Sequence, residues 1–273
     1  MVKDSDLSIL YLDNCSISLT ALERILIAVK TSKLKCLFLR KNELKGKHCS
    51  ALRRFLSGSN VDSSFRPDQN LTNSQNYESS FLHQEKSQPF ISTKLSYPRL
   101  KVLDLSHNLL GPEIGSFIHS LESNYYLNKL VLRNNSITSF GASSLVEGIL
   151  KSSSLHQLDV SNNSLMSGPN GGMVTDSFCQ LIKRSKISKL VLDNCELNNA
   201  FSTSVALAIN QKSKLRHLDL SNNRCHSPET LKTFISVSKN SNLRAVKFTV
   251  PATNGEINDL VKQLNEICSL NSS

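Results

Sequence analysis

The residues with the clearest potential for chemistry are His217 and Asp219, which are separated by a single residue. In a β-strand that spacing places both side chains on one face, where an imidazole beside a carboxylate can exchange a proton. Asp104 and Asp159 occupy the same place in their own segments as Asp219, so the three carboxylates could also bind a cation or a basic peptide. Acid–base catalysis needs an enclosed site that shifts pKa values, and no set of nucleophile, base and orienting residue accompanies these side chains. We therefore expect no enzyme, no catalytic residue and no cofactor.

The cysteines form neither a metal-binding nor a disulfide pattern. There are seven, an odd number, and no Cys-x-x-Cys pair occurs. Disulfide frameworks use even numbers and zinc sites usually use such pairs, so neither is expected. Free thiols are typical of a reducing compartment, and the first twenty residues do not resemble a secretory signal. We expect a cytoplasmic or nuclear protein, and no membrane association, since no apolar run reaches 18 residues.

An eleven-residue pattern, Leu-x-x-Leu-x-Leu-x-x-Asn/Cys-x-Leu, recurs along the chain. The copies are separated by 27, 66, 27, 28, 32, 28 and 28 residues, close to the period of leucine-rich repeats. They begin at Leu7, Leu34, Leu100, Leu127, Leu155, Ile187 and Leu215, with a degenerate copy at Leu243. Leucines two residues apart predict a strand with one buried face.

Helical spacing of apolar residues follows each strand segment. It predicts helices at 19–29, 48–56, 113–121, 140–150, 176–182, 203–209, 228–237 and 256–267. A unit of one strand and one helix cannot bury its apolar face alone, so the units must stack. The expected fold is an α/β horseshoe of about eight repeats, with parallel strands on the concave side and helices on the convex side. The Asn or Cys of each pattern should be a buried residue of the turn, namely Cys15, Asn42, Asn108, Asn135, Asn163, Cys195 and Asn223.

The chain resembles the ribonuclease-inhibitor class of leucine-rich repeat proteins over residues 7–57 and 98–250. As in that class, units of the type Asp-Leu/Val-Ser-x-Asn alternate with units of the type Val-Leu-Arg/Asp-Asn-Asn/Cys, although the first two units break the alternation. The resemblance implies protein–protein recognition on a rigid curved scaffold, inside the cell, and no chemistry of its own.

Some segments depart from the repeat. Residues 58–97 are rich in Ser, Asn and Gln and are expected to be a disordered insertion, or alternatively a partner-binding or phosphorylated segment. Residues 166–175 contain three glycines and predict a flexible loop. Residues 256–268 predict a helix that caps the single domain, 1–273. Only six residues precede the first unit, so we expect its outer face to stack on something outside this chain, as in a longer protein.

The concave face is the expected binding surface for a protein or peptide partner. Its outward positions include tyrosine, arginine and phenylalanine, and tyrosine and arginine are common anchors of interfaces. The plain alternative is a solvated strand face without a partner. The predicted partner-binding residues are Tyr11, Phe38, Arg40, Asp104, Lys129, Val131, Arg133, Asp159, Lys189, Asp193, His217, Asp219 and Lys247.

The net charge of +10 keeps a second function open. A basic surface can attract nucleic acid, and residues 1–57 hold eleven Lys and Arg against five Asp and Glu. The alternatives are therefore a nucleic-acid-associated surface or a nuclear chromatin or replication scaffold of the Tonsoku type. A small-GTPase activator of the Ran-activator type is less favoured, because the chain is basic and lacks an acidic tail. The sequence predicts an intracellular interaction scaffold as its main function.

Overall fold

The computed structural model describes residues 6–58, 98–250 and 254–271, in which strands and helices alternate. The strands are β1 (Ile9–Tyr11), β2 (Cys36–Phe38), β3 (Val102–Asp104), β4 (Lys129–Val131), β5 (Gln157–Asp159), β6 (Lys189–Val191), β7 (His217–Asp219) and β8 (Ala245–Lys247). The helices are α1 (Leu19–Lys30), α2 (Gly46–Leu56), α3 (Gly115–Ile118), α4 (Ser139–Lys151), α5 (Gly171–Arg184), α6 (Asn199–Ala208), α7 (Pro228–Ser238) and α8 (Gly255–Leu270).

The strands form one eight-stranded parallel sheet in chain order. Neighbouring parallel strands are joined by right-handed crossovers, so the helices share one side of the sheet. The leucines with a spacing of two point toward those helices, and Leu37, Leu103 and Leu130 are fully buried. The opposite side of the sheet is hereafter the concave face. This architecture is the predicted α/β leucine-rich repeat solenoid.

Local sequence signals set where several helices begin. Ser18, Asn198, Ser227 and Asn254 each accept a hydrogen bond from the backbone N–H three residues later, which satisfies a donor that a helix start leaves free. Pro228 follows Ser227 at the first helical position of α7, where its missing N–H costs nothing. These caps fix where the chain enters α1, α6, α7 and α8.

One helix prediction and one loop prediction need correction. The helix expected at 113–121 is only the four-residue α3, flanked by 3₁₀ turns at Gly111–Ile114 and His119–Ser123. The loop expected at 166–175 is partly helical, because α5 begins at Gly171. Val174 is completely buried with Phe178 and Leu181, so the apolar stripe of α5 starts one turn earlier than its glycine-rich sequence suggests.

Buried asparagines connect successive repeats. The side-chain oxygen of Asn163 accepts hydrogen bonds from the backbone N–H groups of Asn135 and Ile137 in the preceding unit, at 2.9 and 3.0 Å. Its amide donates to the carbonyls of Leu132 and Val160, at 3.0 and 2.7 Å. Asn42, Asn108, Asn135 and Asn223 make equivalent contacts, so side chains satisfy backbone groups that the turn leaves unpaired.

The two cysteines of the turn positions differ. Cys195 is fully buried, as expected, and its thiol lies 3.3 Å from the carbonyl oxygen of Val160. Cys15 is exposed, so the expectation of a buried residue there is wrong. In the described residues no unit lies before β1, and therefore no preceding turn covers the side chain of Cys15.

One continuous hydrophobic core extends from Ile17 to Cys268. At its C-terminal end α8 packs against α7 and β8, with Ile257, Leu264 and Cys268 buried. The side-chain amide of Asn271 donates to the carbonyls of Ser238 and Leu243, which ties the end of α8 to that last unit. The predicted insertion at 58–97 lies outside the described residues from residue 59 onward.

Candidate functional site

The strand register aligns the predicted binding residues in rows across the concave face. The last strand residues are successive register partners from Tyr11 and Phe38 to Asp219 and Lys247. Lys129, Lys189 and His217 share the first strand position. The third row, two residues beyond the strands, contains Arg40, Arg133 and Asp193. The structure thus brings all thirteen predicted residues onto one face of the sheet.

Two of these residues are less accessible than the strand pattern suggests. Asp104 is 5% exposed and Val131 is 8% exposed, so the expectation that both side chains are open to a partner is wrong. The carboxylate of Asp104 accepts hydrogen bonds from Arg40 Nε at 2.8 Å and from the backbone N–H of Ser106 at 2.9 Å. Its partners cover it, so Asp104 positions other groups and is not a contact surface.

The aspartates of the Asp-x-Ser units have a structural role. Oδ1 of Asp159 accepts hydrogen bonds from the backbone N–H and the hydroxyl of Ser161, at 3.0 and 2.5 Å. Asp104 binds Ser106 in the same way, and Asp219 accepts from the backbone N–H of Ser221 at 3.0 Å. Each carboxylate therefore braces the end of its own strand. In the described parts of the chain, no group of three or more His, Cys, Asp or Glu side chains could hold a metal ion.

An aromatic cluster occupies the N-terminal end of the concave face. The rings of Tyr11 and Phe38 stack with centroids 4.4 Å apart and planes 16° apart. The guanidinium of Arg40 lies over the ring of Phe38, with its central carbon 4.7 Å from the ring centroid. Tyr11 is 61% exposed, so one ring face is open to a partner.

Carboxylates hold Arg40 in this position. Its Nε donates to Asp104, and its Nη1 lies 3.9 Å from the Asp13 carboxylate. The backbone N–H of Arg40 also donates to Asp13, at 2.9 Å. The arginine side chain is thus fixed in the absence of a partner, which lowers the entropy that binding would cost. We refer to Tyr11, Phe38 and Arg40 as the aromatic cluster.

The remainder of the concave face carries charges of both signs. Arg133 lies 3.7 Å from Asp193, and Lys247 lies 3.9 Å from Asp219. Burial, together with the nearby Lys189, lowers the pKa of His217, so its imidazole is mainly neutral at pH 7. These ion pairs are partly exposed and contribute little stability. The concave face therefore presents both positive and negative side chains, and these do not form an enclosed reaction site.

The cysteines do not supply a reactive group in the core. All seven are free thiols. Burial raises the pKa of Cys195 to about 12 and that of Cys49 to about 11. Because the thiolate is the nucleophilic form, both side chains are structural.

A second surface was missed by the sequence analysis. Tyr125 and Tyr126, which are 64% and 41% exposed, line an open cavity of about 590 Å³. Lys101, Asn128 and His156 line the same cavity. The sequence signal for this surface was the position of the Tyr-Tyr pair, which lies directly before the copy of the repeat that begins at Leu127.

Comparisons with known proteins agree with the repeat architecture. Residues 99–122 and 214–234 match the Leucine Rich Repeat family. Mouse "NACHT, LRR and PYD domains-containing protein 5" is 31% identical over 140 residues, which is 49% of this chain and 11% of that protein. The human protein of the same name is 32% identical over 130 residues, covering 46% of this chain and 10% of its own length. The chain thus spans only about a tenth of these relatives.

Among solved structures, the leucine-rich repeat-containing protein LegL7 from Legionella pneumophila is 17% identical. The comparison covers 95% of this chain and 90% of that protein, with a TM-score of 0.40. None of the helices in the described ranges is long and apolar enough to cross a bilayer. The eight stacked units, and the repeat signature matched within two parts of them, make this chain a leucine-rich repeat protein.

Proposed function

We propose that this chain is an interaction scaffold that binds a protein or peptide on its concave face, in the cytoplasm or nucleus. Leucine-rich repeat domains are commonly protein-interaction modules, and no enzymatic family is indicated for this one. The observation that carries the proposal is the aromatic cluster of Tyr11, Phe38 and Arg40. Tyrosine and arginine dominate the residues that contribute most to binding energy at interfaces.

The geometry of the aromatic cluster favours a role in partner binding over that of a solvated surface without a partner. Stacking orders the two rings, and Arg40 is held by Asp13 and Asp104 before any partner arrives. A preorganised arginine and two ordered rings lose little conformational freedom on binding. The ring face of Tyr11 offers apolar area, while Arg40 can donate to a carboxylate or a carbonyl of the partner.

The names of the relatives place an LRR region beside NACHT and PYD domains. We extend to this chain only the role of the repeats as its recognition surface. The residues of the concave face that remain accessible, such as Lys129 and Lys189, would then add polar contacts farther along the same face. Affinity enrichment identifies the partner itself.

Affinity enrichment with three forms of the full chain tests the proposal. The baits are the wild type, Tyr11→Ala/Phe38→Ala, and the control Phe140→Ala/Met173→Ala. The control removes two apolar side chains from α4 and α5 on the helical side, each about as exposed as Tyr11. Partners enriched from extracts of the source cells are identified by quantitative mass spectrometry, and their dissociation constants are then measured with purified proteins.

A partner of the concave face should bind the Tyr11→Ala/Phe38→Ala chain about 30-fold more weakly, since two residues of this type contribute about 2 kcal/mol or more. It should bind the control chain with unchanged affinity. Partners that remain on the concave variant and disappear from the control would place recognition on the helices and contradict the proposal.

A further inference from the structure

The positive charge of the chain is concentrated along one edge of the sheet, at the N-terminal ends of the strands. Three positions repeat there in each unit: the first strand residue, the residue directly before it, and the residue three places before that first strand residue. Backbone hydrogen bonds of 2.7–2.9 Å connect successive units at this edge, as from Lys101 to Lys35 and from Arg244 to Arg216. The cations at these positions, hereafter the basic edge, are Lys33, Lys35, Arg99, Lys101, Lys129, Lys186, Lys189, Lys214, Arg216 and Arg244.

The charge balance of this edge is one-sided. These positions hold ten Lys and Arg against one acidic residue, Asp6, a difference of +9 in a chain whose net charge is +10. Asp6 forms an ion pair with Lys33 at 2.6 Å. Across the described ranges, no ion pair joins the other nine to a carboxylate.

Helix ends do not account for these cations. Helices α1, α2 and α4–α7 end near this edge, and each C-terminus carries about half a negative charge, in total about −3. Six other cations already lie in the last turns of α1, α2, α4 and α5. The surplus on the basic edge is therefore available to an anionic ligand.

The environment of His217 shows that the cations act together. Burial lowers the pKa of its imidazole, and the positive charges of Lys189, Arg244 and Arg216 lower it further. Three cations from three neighbouring units thus affect one side chain. The cations belong to the units of β2–β4 and β6–β8, and the β5 unit supplies none at these positions. At a strand spacing of about 4.8 Å, the row from β2 to β8 extends over about 29 Å.

Two exposed aromatic rings interrupt the row of cations. Tyr125 and Tyr126 lie beside Lys101 and His156 in the open cavity described above. Asn128 and the serines at 153 and 154 supply hydrogen-bonding groups at the same place. A charge row alone would suit any polyanion, whereas exposed rings within it suit unpaired bases, which can stack.

We propose that the basic edge binds single-stranded nucleic acid, with its phosphates along the Lys and Arg row and its bases against Tyr125 and Tyr126. Duplex nucleic acid would leave the rings unused, because paired bases stay stacked on one another. This function goes beyond protein binding on the concave face and does not depend on it.

Binding of a fluorescent fifteen-nucleotide oligothymidylate to the full chain tests the inference. Fluorescence anisotropy is measured from 50 to 300 mM salt, in parallel with a duplex of fifteen base pairs and with vesicles of phosphatidylserine and phosphatidylcholine. The edge variant is Lys101→Glu/Lys186→Glu/Arg216→Glu. The control, Arg24→Glu/Lys47→Glu/Arg224→Glu, makes the same change in net charge at exposed positions away from the edge.

The affinity of the wild-type chain should fall steeply with salt. Since each phosphate contact on a single strand contributes about 0.7 to the slope of log K against log salt, the edge variant should lower that slope by about 2. Its affinity at 50 mM salt should fall by about 100-fold, while the control changes by less than about threefold. Thermal melting of each variant confirms that its fold is intact.

The tyrosines are tested separately. Tyr125→Ala/Tyr126→Ala should weaken binding by about tenfold or more, and Tyr125→Phe/Tyr126→Phe, which keeps the rings, should restore it. Equal losses in the edge and control triples would overturn the assignment of the edge. Tighter binding to the duplex without any effect of the tyrosines would overturn the single-strand assignment, and binding to vesicles alone would assign the edge to anionic membranes instead.

Discussion

Asn163→Ala is the substitution that tests how the repeats are held together. Asn163 is buried and makes five hydrogen bonds, three donated and two accepted. Three of them, to Leu132, Asn135 and Ile137, reach the preceding unit. Alanine removes all of them and leaves a small cavity. The two accepted bonds matter most, because the N–H groups of Asn135 and Ile137 belong to fully buried residues.

The expected loss of stability follows from those two donors. An unsatisfied buried N–H costs about 1–3 kcal/mol, so two cost about 4 kcal/mol. The carbonyl acceptors are not counted, since a carbonyl has a second lone pair. For a chain of this size, 1 kcal/mol changes the Tm by about 2–4 °C, so Asn163→Ala should melt about 8–16 °C lower.

Urea unfolding followed by circular dichroism measures the free energy, and hydrogen exchange measures the two amides directly. Asn242→Ala is the matched control, because its exposed side chain makes one hydrogen bond, to the carbonyl of Gln211. The control should lose less than about 0.5 kcal/mol. If Asn163→Ala loses less than about 1 kcal/mol of unfolding free energy and the amides of Asn135 and Ile137 stay protected, the buried asparagines do not hold the units together as described.

Three further measurements concern the packing, the thiols and a histidine. Gly148→Ala should destabilise by about 1–3 kcal/mol in urea unfolding, because an added Cβ would collide with an isoleucine of α3. Gly172→Ala, which has open space, should stabilise by about 0.5–1 kcal/mol, and equal signs would contradict this packing. A thiol reagent at pH 8 should label the exposed Cys15 first and Cys195, whose pKa is about 12, only after unfolding; early labelling of Cys195 would refute its burial. Because the pKa of His217 is lowered in the folded chain, the unfolded chain binds the proton first as the pH falls. The contribution of His217 therefore favours folding above the ordinary pKa of 6.5 and is lost as the pH falls through and below that value. An NMR titration midpoint of His217 at or above 6.5 would contradict this sign.

The repeat period predicted the fold because it assigns one role to each position. Leucines two residues apart become the buried side of a strand wherever the unit occurs, and the asparagines become buried turn residues. The same logic failed at Cys15, since burial there depends on a preceding unit and not on its own motif. The loop prediction for residues 166–175, made from three glycines, also failed in part, because the burial of Val174 extends α5 back to Gly171.

The candidate site was predicted in outline only. Strand periodicity placed the rows on one face, but it could not show that Arg40, 64 residues earlier, covers Asp104. Nor could it show that Tyr11 and Phe38 stack, since this depends on the register of β1 with β2. The ribonuclease-inhibitor subclass and the partner-binding roles stay predictions.

The charge was interpreted along the chain, and the structure changes that interpretation. Counting by segment placed the basic excess in the first two units. In the fold, cations from distant units such as Lys35, Lys101 and Arg216 occupy equivalent positions at one edge of the sheet. Aligning the units by position would have revealed this edge, because the stacking turns a sequence period into a spatial row.

Photo-cross-linking from the concave face tests the proposed function most directly. A benzoylphenylalanine residue replaces Tyr11 in one chain and Phe140 in another, and both chains are expressed in the source cells and irradiated. Both positions are exposed and aromatic, but Tyr11 lies on the concave face and Phe140 on α4. We expect a protein adduct from position 11 and none from position 140; an adduct from position 140 alone would contradict binding on the concave face.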